Sequence, residues 1–308
     1  MTPSQGSARS PRPRRGARPA PRRVGSGGLG GDRVEGRRAV LELLSAGRRA
    51  VKRVMIAQGQ EPSPLLDEIE RLALARSVPI ASVTKGRIEA QASTFAPQGV
   101  VALAEPVEAT PLEVMLGSFH ADPFILVAAG VVDPQNLGSL LRSAAGAGVG
   151  GVVLASHRAT LLSPAVVKVA AGAVEHLEFC LVPGIAGALL KMSRLGVSAI
   201  GLAAEAASSL YELDAPVSSL ALVVGGENKG LPRLVRERCD RIVKIPQHGG
   251  VPSLNVAAAG AVACFELARR RTTQPSRARR PGPQSPGAKP RDGAQRRTEP
   301  VVGFEPTT

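Results

Sequence analysis

Phe124-Ile125-Leu126-Val127-Ala128-Ala129-Gly130-Val131-Val132-Asp133-Pro134-Gln135-Asn136-Leu137-Gly138-Ser139-Leu140-Leu141-Arg142-Ser143-Ala144 is the stretch that decides the fold. It opens with an unbroken apolar run over Phe124–Val132. That pattern belongs to a strand buried on both faces, since a half-exposed strand would alternate with polar residues. Asp133-Pro134 then turns the chain. A helix over residues 136–147 follows, and Val152–Ala155 reads as the next strand. Further strands are expected at Phe179–Val182, Val197–Leu202, Leu220–Val224 and Ile242–Ile245. Helices between them are expected at 164–175, 185–195 and 231–238. Strand alternating with helix predicts an α/β fold with a parallel sheet covered on both faces. The last helix, Leu254–Arg271, is Ala-rich and has Ser253 as its expected cap.

Upstream, residues 33–105 read as a smaller α/β unit. A helix from about Gly36 carries Val40, Leu43 and Leu44, and Val51–Ala57 is a strand. Pro64 opens a helix with Leu65, Ile69 and Leu72 on one face. Val78–Val83 and Val100–Ala104 are strand candidates. The expected organisation is a basic tail over 1–31, a small unit over 32–105, a linker over 106–122, the parallel-sheet unit over 123–271, and a second basic tail over 272–308.

The formal charge of +14 lies entirely outside residues 32–268, in the tails and the Arg269–Arg271 run that leads into the second. Residues 1–31 carry seven Arg and no acid, and residues 269–308 add ten basic and three acidic residues. Both tails are rich in Pro, Gly, Ser and Arg, a composition that cannot bury enough apolar surface to fold alone. They serve either as solubilising extensions or as a polyanion grip through counterion release. In the middle of the chain, Arg33, Arg37, Arg38, Arg48, Arg49, Lys52 and Arg53 form the densest basic cluster, either solvated charge or an RNA contact. One Tyr and no Trp leave no expected aromatic platform for stacking bases. Cys180, Cys239 and Cys264 show no metal-ligand spacing, so no metal is expected. No apolar run suits a membrane span, and a cytoplasmic protein without a membrane partner is the expectation.

Gly146-Ala147-Gly148-Val149-Gly150-Gly151 matches G-x-G-x-x-G literally. A dinucleotide fingerprint needs a strand before it and a helix after it, whereas here the order is reversed. The glycines read as a helix end and turn. Two other blocks carry more chemistry. Gly225-Gly226-Glu227-Asn228-Lys229-Gly230 ends the strand Leu220–Val224, where ligands of open α/β sheets collect. Ile245-Pro246-Gln247-His248-Gly249-Gly250-Val251-Pro252-Ser253-Leu254-Asn255-Val256 runs from a strand through a flexible loop into a helix start. Asn136 and Arg142 supply the polar groups of the opening stretch, and an Arg on an Ala/Leu helix suits phosphate or ribose contact.

These blocks resemble the SpoU branch of the SPOUT RNA methyltransferases, and within it the bacterial 23S rRNA guanosine-2′-O-methyltransferases. Asn136-x-Gly138-x-x-x-Arg142-Ser143-Ala144 is similar to the family's first motif, Gly226-Glu227-x-x-Gly230 to the second, and Ile245-Pro246 with Ser253-Leu254-Asn255-Val256 to the third. Gly172-Ala173-Val174-Glu175-His176 resembles a segment between the first two. Gly36-Arg37-Arg38-Ala39-Val40 and Gln98-Gly99-Val100 resemble the small L30e-like domain carried in front. The resemblance spans residues 34–270. It implies a deep trefoil knot in the C-terminal domain, S-adenosyl-L-methionine as cofactor, RNA as partner with 23S rRNA foremost, and a homodimer with sites near the subunit interface. It implies cofactor contacts at Gly225, Gly226, Ile245, Pro246 and Leu254. It implies Arg142 as the catalytic residue, with Asn136, Glu227, Ser253 and Asn255 around it. Arg is normally always protonated, which favours Arg142 as organiser of phosphate and developing alkoxide and leaves a base role open. A tRNA ribose enzyme and a non-catalytic RNA-binding protein of the same fold are the competing readings. Three positions depart from the pattern: Gln247 where Met is usual, Ala257 where Ser is usual, and Asn228-Lys229 in a variable stretch.

Overall fold

A computed structural model describes residues 28–120, 122–157, 161–214, 218–227, 229–250 and 253–273. Nearly all of both basic tails, together with Asn228, Val251 and Pro252, lies outside these residues.

The first half builds a small mixed sheet from β1 (Arg33–Glu35), α1 (Arg37–Ala46), β2 (Val51–Ala57), α2 (Pro64–Ala75), β3 (Ile80–Val83), α3 (Lys85–Gln91) and β4 (Val100–Ala104). Its strand order is β1-β4-β2-β3, parallel only between β2 and β3. The α1 face buries Val40, Leu43 and Leu44 as the periodicity predicts. In α2 the buried set is Leu66, Ile69 and Ala73, so the packed face is turned from the expected Leu65–Ile69–Leu72 line. Ser63 caps this helix by accepting from Leu66 N, with Pro64 at the first helical position, where its missing N–H costs nothing. The stretch read as a period-free linker holds a short helix, α4 (Leu112–Ser118). Leu112 and Met115 are buried there, two apolar anchors too few to show as a period.

The second half builds the large sheet. Its elements are β5 (Phe124–Ala129), α5 (Pro134–Gly146), β6 (Gly151–Ala155), α6 (Pro164–Ala170), a 3-10 turn at Ala173–His176, β7 (Glu178–Val182), α7 (Ile185–Arg194), β8 (Ser198–Leu202), β9 (Ser208–Ser209), a 3-10 turn at Leu210–Glu212, β10 (Leu220–Gly225), α8 (Arg233–Arg236), β11 (Arg241–Lys244) and α9 (Val256–Thr273). All pairs are parallel, in the order β7-β6-β5-β10-β8-β11-β9. Every residue of the adjacent central strands β5 and β10 is buried, which accounts for their unbroken apolar runs. β5 stops at Ala129 rather than Val132, because Gly130 turns the chain at φ 92°. The helix expected over 164–175 ends at Ala170, where Ala171 adopts a left-handed φ of 51° and the 3-10 turn takes over. α5 ends at Gly146 and β6 begins at Gly151, so the literal G-x-G-x-x-G sits between a helix and a strand.

One apolar core runs from Leu29 through Val40 and Leu43 to Leu137, Leu141, Val167 and Leu267, so both sheets share it. A buried ion pair reinforces the junction. Arg49 Nε and Nη2 donate to Glu175 Oε2 and Oε1 at 2.9 and 2.6 Å. The same guanidinium donates to the Gly31 and Glu105 carbonyls. Glu175 belongs to the Gly172–His176 segment, and its carboxylate is 3% exposed. A second apolar cluster, including Met115, Leu189 and Met192, covers the opposite face of the large sheet.

Candidate active site

In a parallel sheet the carboxyl ends of neighbouring strands open on one side, and the crevice there is the usual ligand site. Three polar side chains meet at this edge. Asp133 Oδ2 accepts from Asn136 N at 2.8 Å and so caps α5, placing Asn136 in its first turn. Asn136 Nδ2 donates to Glu227 Oε1 at 2.8 Å, just beyond the end of β10. Asn255 Nδ2 donates to Asn136 Oδ1 at 2.8 Å, just ahead of α9.

Asn255 also starts that helix. Its Oδ1 accepts from Ala257 N at 2.8 Å and from Ala258 N at 3.4 Å. The cap is therefore Asn255 rather than the expected Ser253, and α9 begins at Val256 rather than Leu254. This explains why both amides have one orientation. Backbone N–H groups can only donate, so they demand the Asn255 oxygen, and a carboxylate can only accept, so it demands the Asn136 nitrogen.

Behind these groups lies a cavity of about 470 Å³. Gly225, Gly226, Glu227, Ile245, Ser253, Leu254 and Asn255 line it, as the motifs suggest. Pro246 does not line it, although its neighbours Ile245 and Gln247 do. Leu202, Ala203 and Glu205 at the end of β8 complete the wall and were not anticipated. The signal for them was available, since β8 is a parallel neighbour of β10 whose carboxyl end opens on the same crevice. Glu205 contacts Arg236, and its carboxyl is held below the usual range mainly by a backbone hydrogen bond, with Arg236 adding to it. Of the departures from the family pattern, Gln247 faces the cavity and donates to the Ile245 carbonyl, and Ala257 is buried with its N–H on the Asn255 cap.

The glycines at this edge are dictated by chain proximity. A Cβ on Gly226 would lie 2.2 Å from the Gly130 carbonyl oxygen, and one on Gly225 2.2 Å from the Gly230 carbonyl carbon. Backbone cannot yield as a flexible side chain can. Gly226→Ala is expected to cost about 1–3 kcal/mol of stability and to lower the affinity of the cavity for its ligand. Thermal melting and calorimetric titration measure the two effects. An unchanged melting temperature would show that the loop relaxes freely.

Arg142 is not brought to this cluster. It lies six residues beyond Asn136 on α5, about 9 Å along the axis and about 120° away around it. It is exposed and faces a shallow groove with Glu42, Gly172 and His176. His176 Nε2 lies 2.9 Å from Glu42 Oε2 in the same groove.

Burial pushes the thiols of Cys180, Cys239 and Cys264 up to about 11, 12 and 12, which makes them poor nucleophiles. Among the described residues no group of three His, Cys, Asp or Glu side chains is placed to hold a metal ion.

The sheet and its crevice define an α/β protein with a nucleoside-sized cavity at the carboxyl ends of its parallel strands. A family model described as "SpoU rRNA Methylase family" matches residues 123–265, and one described as "RNA 2'-O ribose methyltransferase substrate binding" matches residues 33–110. The 23S rRNA (guanosine-2'-O-)-methyltransferase RlmB of Pseudomonas putida is 36% identical over 78% of this chain and 97% of its own length. The protein of the same name from Salmonella typhimurium is 34% identical over 78% and 98%. A crystal structure titled RNA 2'-O ribose methyltransferase superposes with a TM-score of 0.64 at 27% identity, covering 78% of this chain and 88% of that one. The SpoU methyltransferase AviRb from Streptomyces viridochromogenes, solved with AdoMet, shares the fold with a TM-score of 0.64 at 24% identity over 78% and 90%. The chain belongs to the SpoU rRNA methylase family.

Proposed function

We propose that the protein transfers a methyl group from S-adenosyl-L-methionine to a ribose 2′-OH of RNA, with a guanosine of 23S rRNA as the target. The observation that carries this reading is the hydrogen-bonded line Asn255–Asn136–Glu227, in which three separated motifs meet at the mouth of one cavity. The cavity suits the cofactor in size and lining. Ile245, Leu254 and Leu202 offer apolar wall for a nucleobase, and Gly225 and Gly226 keep the backbone open to close approach. When bound, S-adenosyl-L-methionine supplies an electrophilic methyl group on a sulfonium.

The chain's own residues position the nucleophile. A ribose 2′-OH is weakly nucleophilic, and in-line placement provides much of the acceleration. Asn136 is held from both sides and so holds Glu227 in one pose. The second carboxylate oxygen of Glu227 orients the ribose and accepts a proton from it. Ser253 and Asn255 border the same space. Arg142 carries the charge that stabilises the developing alkoxide and the adjacent phosphate.

Arg142 acts on a site completed by a second copy of the chain. One helical turn on, Gly146 lies under Phe265, which is 53% exposed. Val262 and Val132 are also partly open to solvent. Exposed apolar side chains near an Arg that forms no ion pair with other described residues suit a homodimer interface. The trefoil knot is part of this reading. Residues 32–105 engage the RNA, residues 123–271 carry out the transfer, and the tails add electrostatic grip. A cytoplasmic location away from membranes goes with this substrate, and among the described residues no helix is long and apolar enough to cross one.

The test is transfer of labelled methyl to 23S rRNA fragments, with mapping of 2′-O-methyl sites in cells with and without the gene. The expected result is one guanosine that loses its methyl group when the gene is removed. Protein that binds RNA yet labels neither rRNA nor tRNA would overturn the reading.

A further inference from the structure

A concavity of about 1150 Å³ lies in the small-sheet half. Its lining includes Arg37, Arg38, Lys85, Glu89 and the loop from Ala92 to Gly99. Phe95 stands on that loop and is 99% exposed, in a chain that is only 2% aromatic. Composition alone, with one Tyr and no Trp, suggested that no stacking platform existed.

The loop is anchored firmly. Glu35 is fully buried, and its carboxylate accepts from Ser93 N at 2.6 Å, from Thr94 N at 3.1 Å and from Thr94 Oγ1. Lys168, reaching across from α6, donates to Thr94 Oγ1 at 3.1 Å, to Ala96 O at 2.8 Å and to Phe95 O. Arg33 donates to Ser93 Oγ at 2.8 Å. Two residues without glycine's freedom, Ala96 and Gln98, sit at left-handed φ values of 54° and 55°. Such strain persists only where the surroundings enforce it, and it concentrates at ligand sites. A loop that merely joined α3 to β4 would turn its one large apolar side chain inward. This one spends a buried carboxylate and a lysine on holding that side chain out.

We propose that Phe95 is a stacking platform for an unpaired base of the RNA substrate, with Arg38 and Lys85 following the phosphates beside it. The inference rests on the reading that the substrate is RNA. Arg37 is committed to Gln98 O, Ser63 Oγ and Gln60 Oε1, which fixes the wall of the cleft. The side chains of Arg38 and Lys85 line the cleft and form no hydrogen bond or ion pair with other described residues, so their charge is available. An aromatic face with adjacent cations is the recognition chemistry of single strands, whereas a duplex hides its base faces. Lys168 ties the platform to the helix next to α5, so the stacked base is held at a set distance from the catalytic edge.

The chain has no Trp, so Phe95→Trp places the single Trp at the platform, where its emission can be excited selectively over Tyr211. Its emission is expected to be quenched by a 23S rRNA fragment with an unpaired loop and not by a fully paired duplex. Phe95→Ala is expected to raise the Kd for the looped fragment roughly 10- to 100-fold, with cofactor affinity and salt dependence unchanged. Arg38→Ala and Lys85→Ala should each instead reduce the slope of log K against log salt by about 0.7. Wild-type affinity in Phe95→Ala, equal quenching by duplex, or quenching by a protein partner and not by RNA would each overturn the proposal. If quenching occurs but wild-type protein transfers no methyl group, the transferase reading fails and the platform stands. If transfer proceeds and Phe95→Ala binds normally, the platform fails alone.

Discussion

Arg142→Ala is expected to lower the rate of methyl transfer at least about 100-fold, the usual cost of removing a charge that stabilises the transition state. The side chain is exposed and forms no ion pair with other described residues, so stability should change by less than about 0.5 kcal/mol. Arg142→Lys keeps the charge but loses the planar fork, and should recover only part of the rate. The position of Arg142, away from the Asn136–Glu227–Asn255 line, makes a sharper test possible. If the site spans two copies, mixing Arg142→Ala protein with Glu227→Ala protein gives mixed dimers in which one of two sites has both residues intact. Activity should then reappear on mixing. Two inactive variants that stay inactive together, while mixed dimers demonstrably form, would put Arg142 and Glu227 on the same copy. A fully active Arg142→Ala would remove the residue from the chemistry.

Arg49→Ala is expected to have the largest effect on stability, about 3–5 kcal/mol. Arg49 and Glu175 are 9% and 3% exposed, and the pair is bidentate. Removing the guanidinium leaves a carboxylate in the core without its counter-charge, and strips the Gly31 and Glu105 carbonyls of a donor. Denaturant unfolding measures the loss. The double replacement Arg49→Met with Glu175→Leu should recover most of it, because the penalty comes from the orphaned charge rather than from losing the pair. A single-variant loss below about 1 kcal/mol would mean that water reaches Glu175 and the junction is softer than its burial suggests.

Much of this fold was legible in the residues. The apolar runs Phe124–Val132 and Leu220–Val224 mark strands buried on both faces, and the strands observed there, Phe124–Ala129 and Leu220–Gly225, are the adjacent centre of the sheet. The order of helix and strand around Gly146–Gly151 excluded a dinucleotide loop correctly. Less was legible where one or two side chains decide. α4 rests on Leu112 and Met115, too short a pattern to show periodicity. The packed face of α2 is set by what α1 presents, which no local pattern records. The start of α9 went to Asn255 because its side chain had a second partner in Asn136, 119 residues away. Glu205 and Phe95 carry no motif at all. One enters the cavity through strand adjacency and the other matters through its exposure, and both are properties of the folded chain.

Asn255 has a further consequence. The oxygen that lets α9 begin and the nitrogen that braces Asn136 belong to one amide. Starting α9 and bracing the Asn136–Glu227 contact are thus coupled through one side chain. A chain that has not yet wound this helix, whether newly made or partly melted, lacks both the brace across the mouth of the cavity and the part of its wall that Val256 and Ala259 supply. On the proposed reading such a species is inactive, so activity would report that α9 has closed on Asn136.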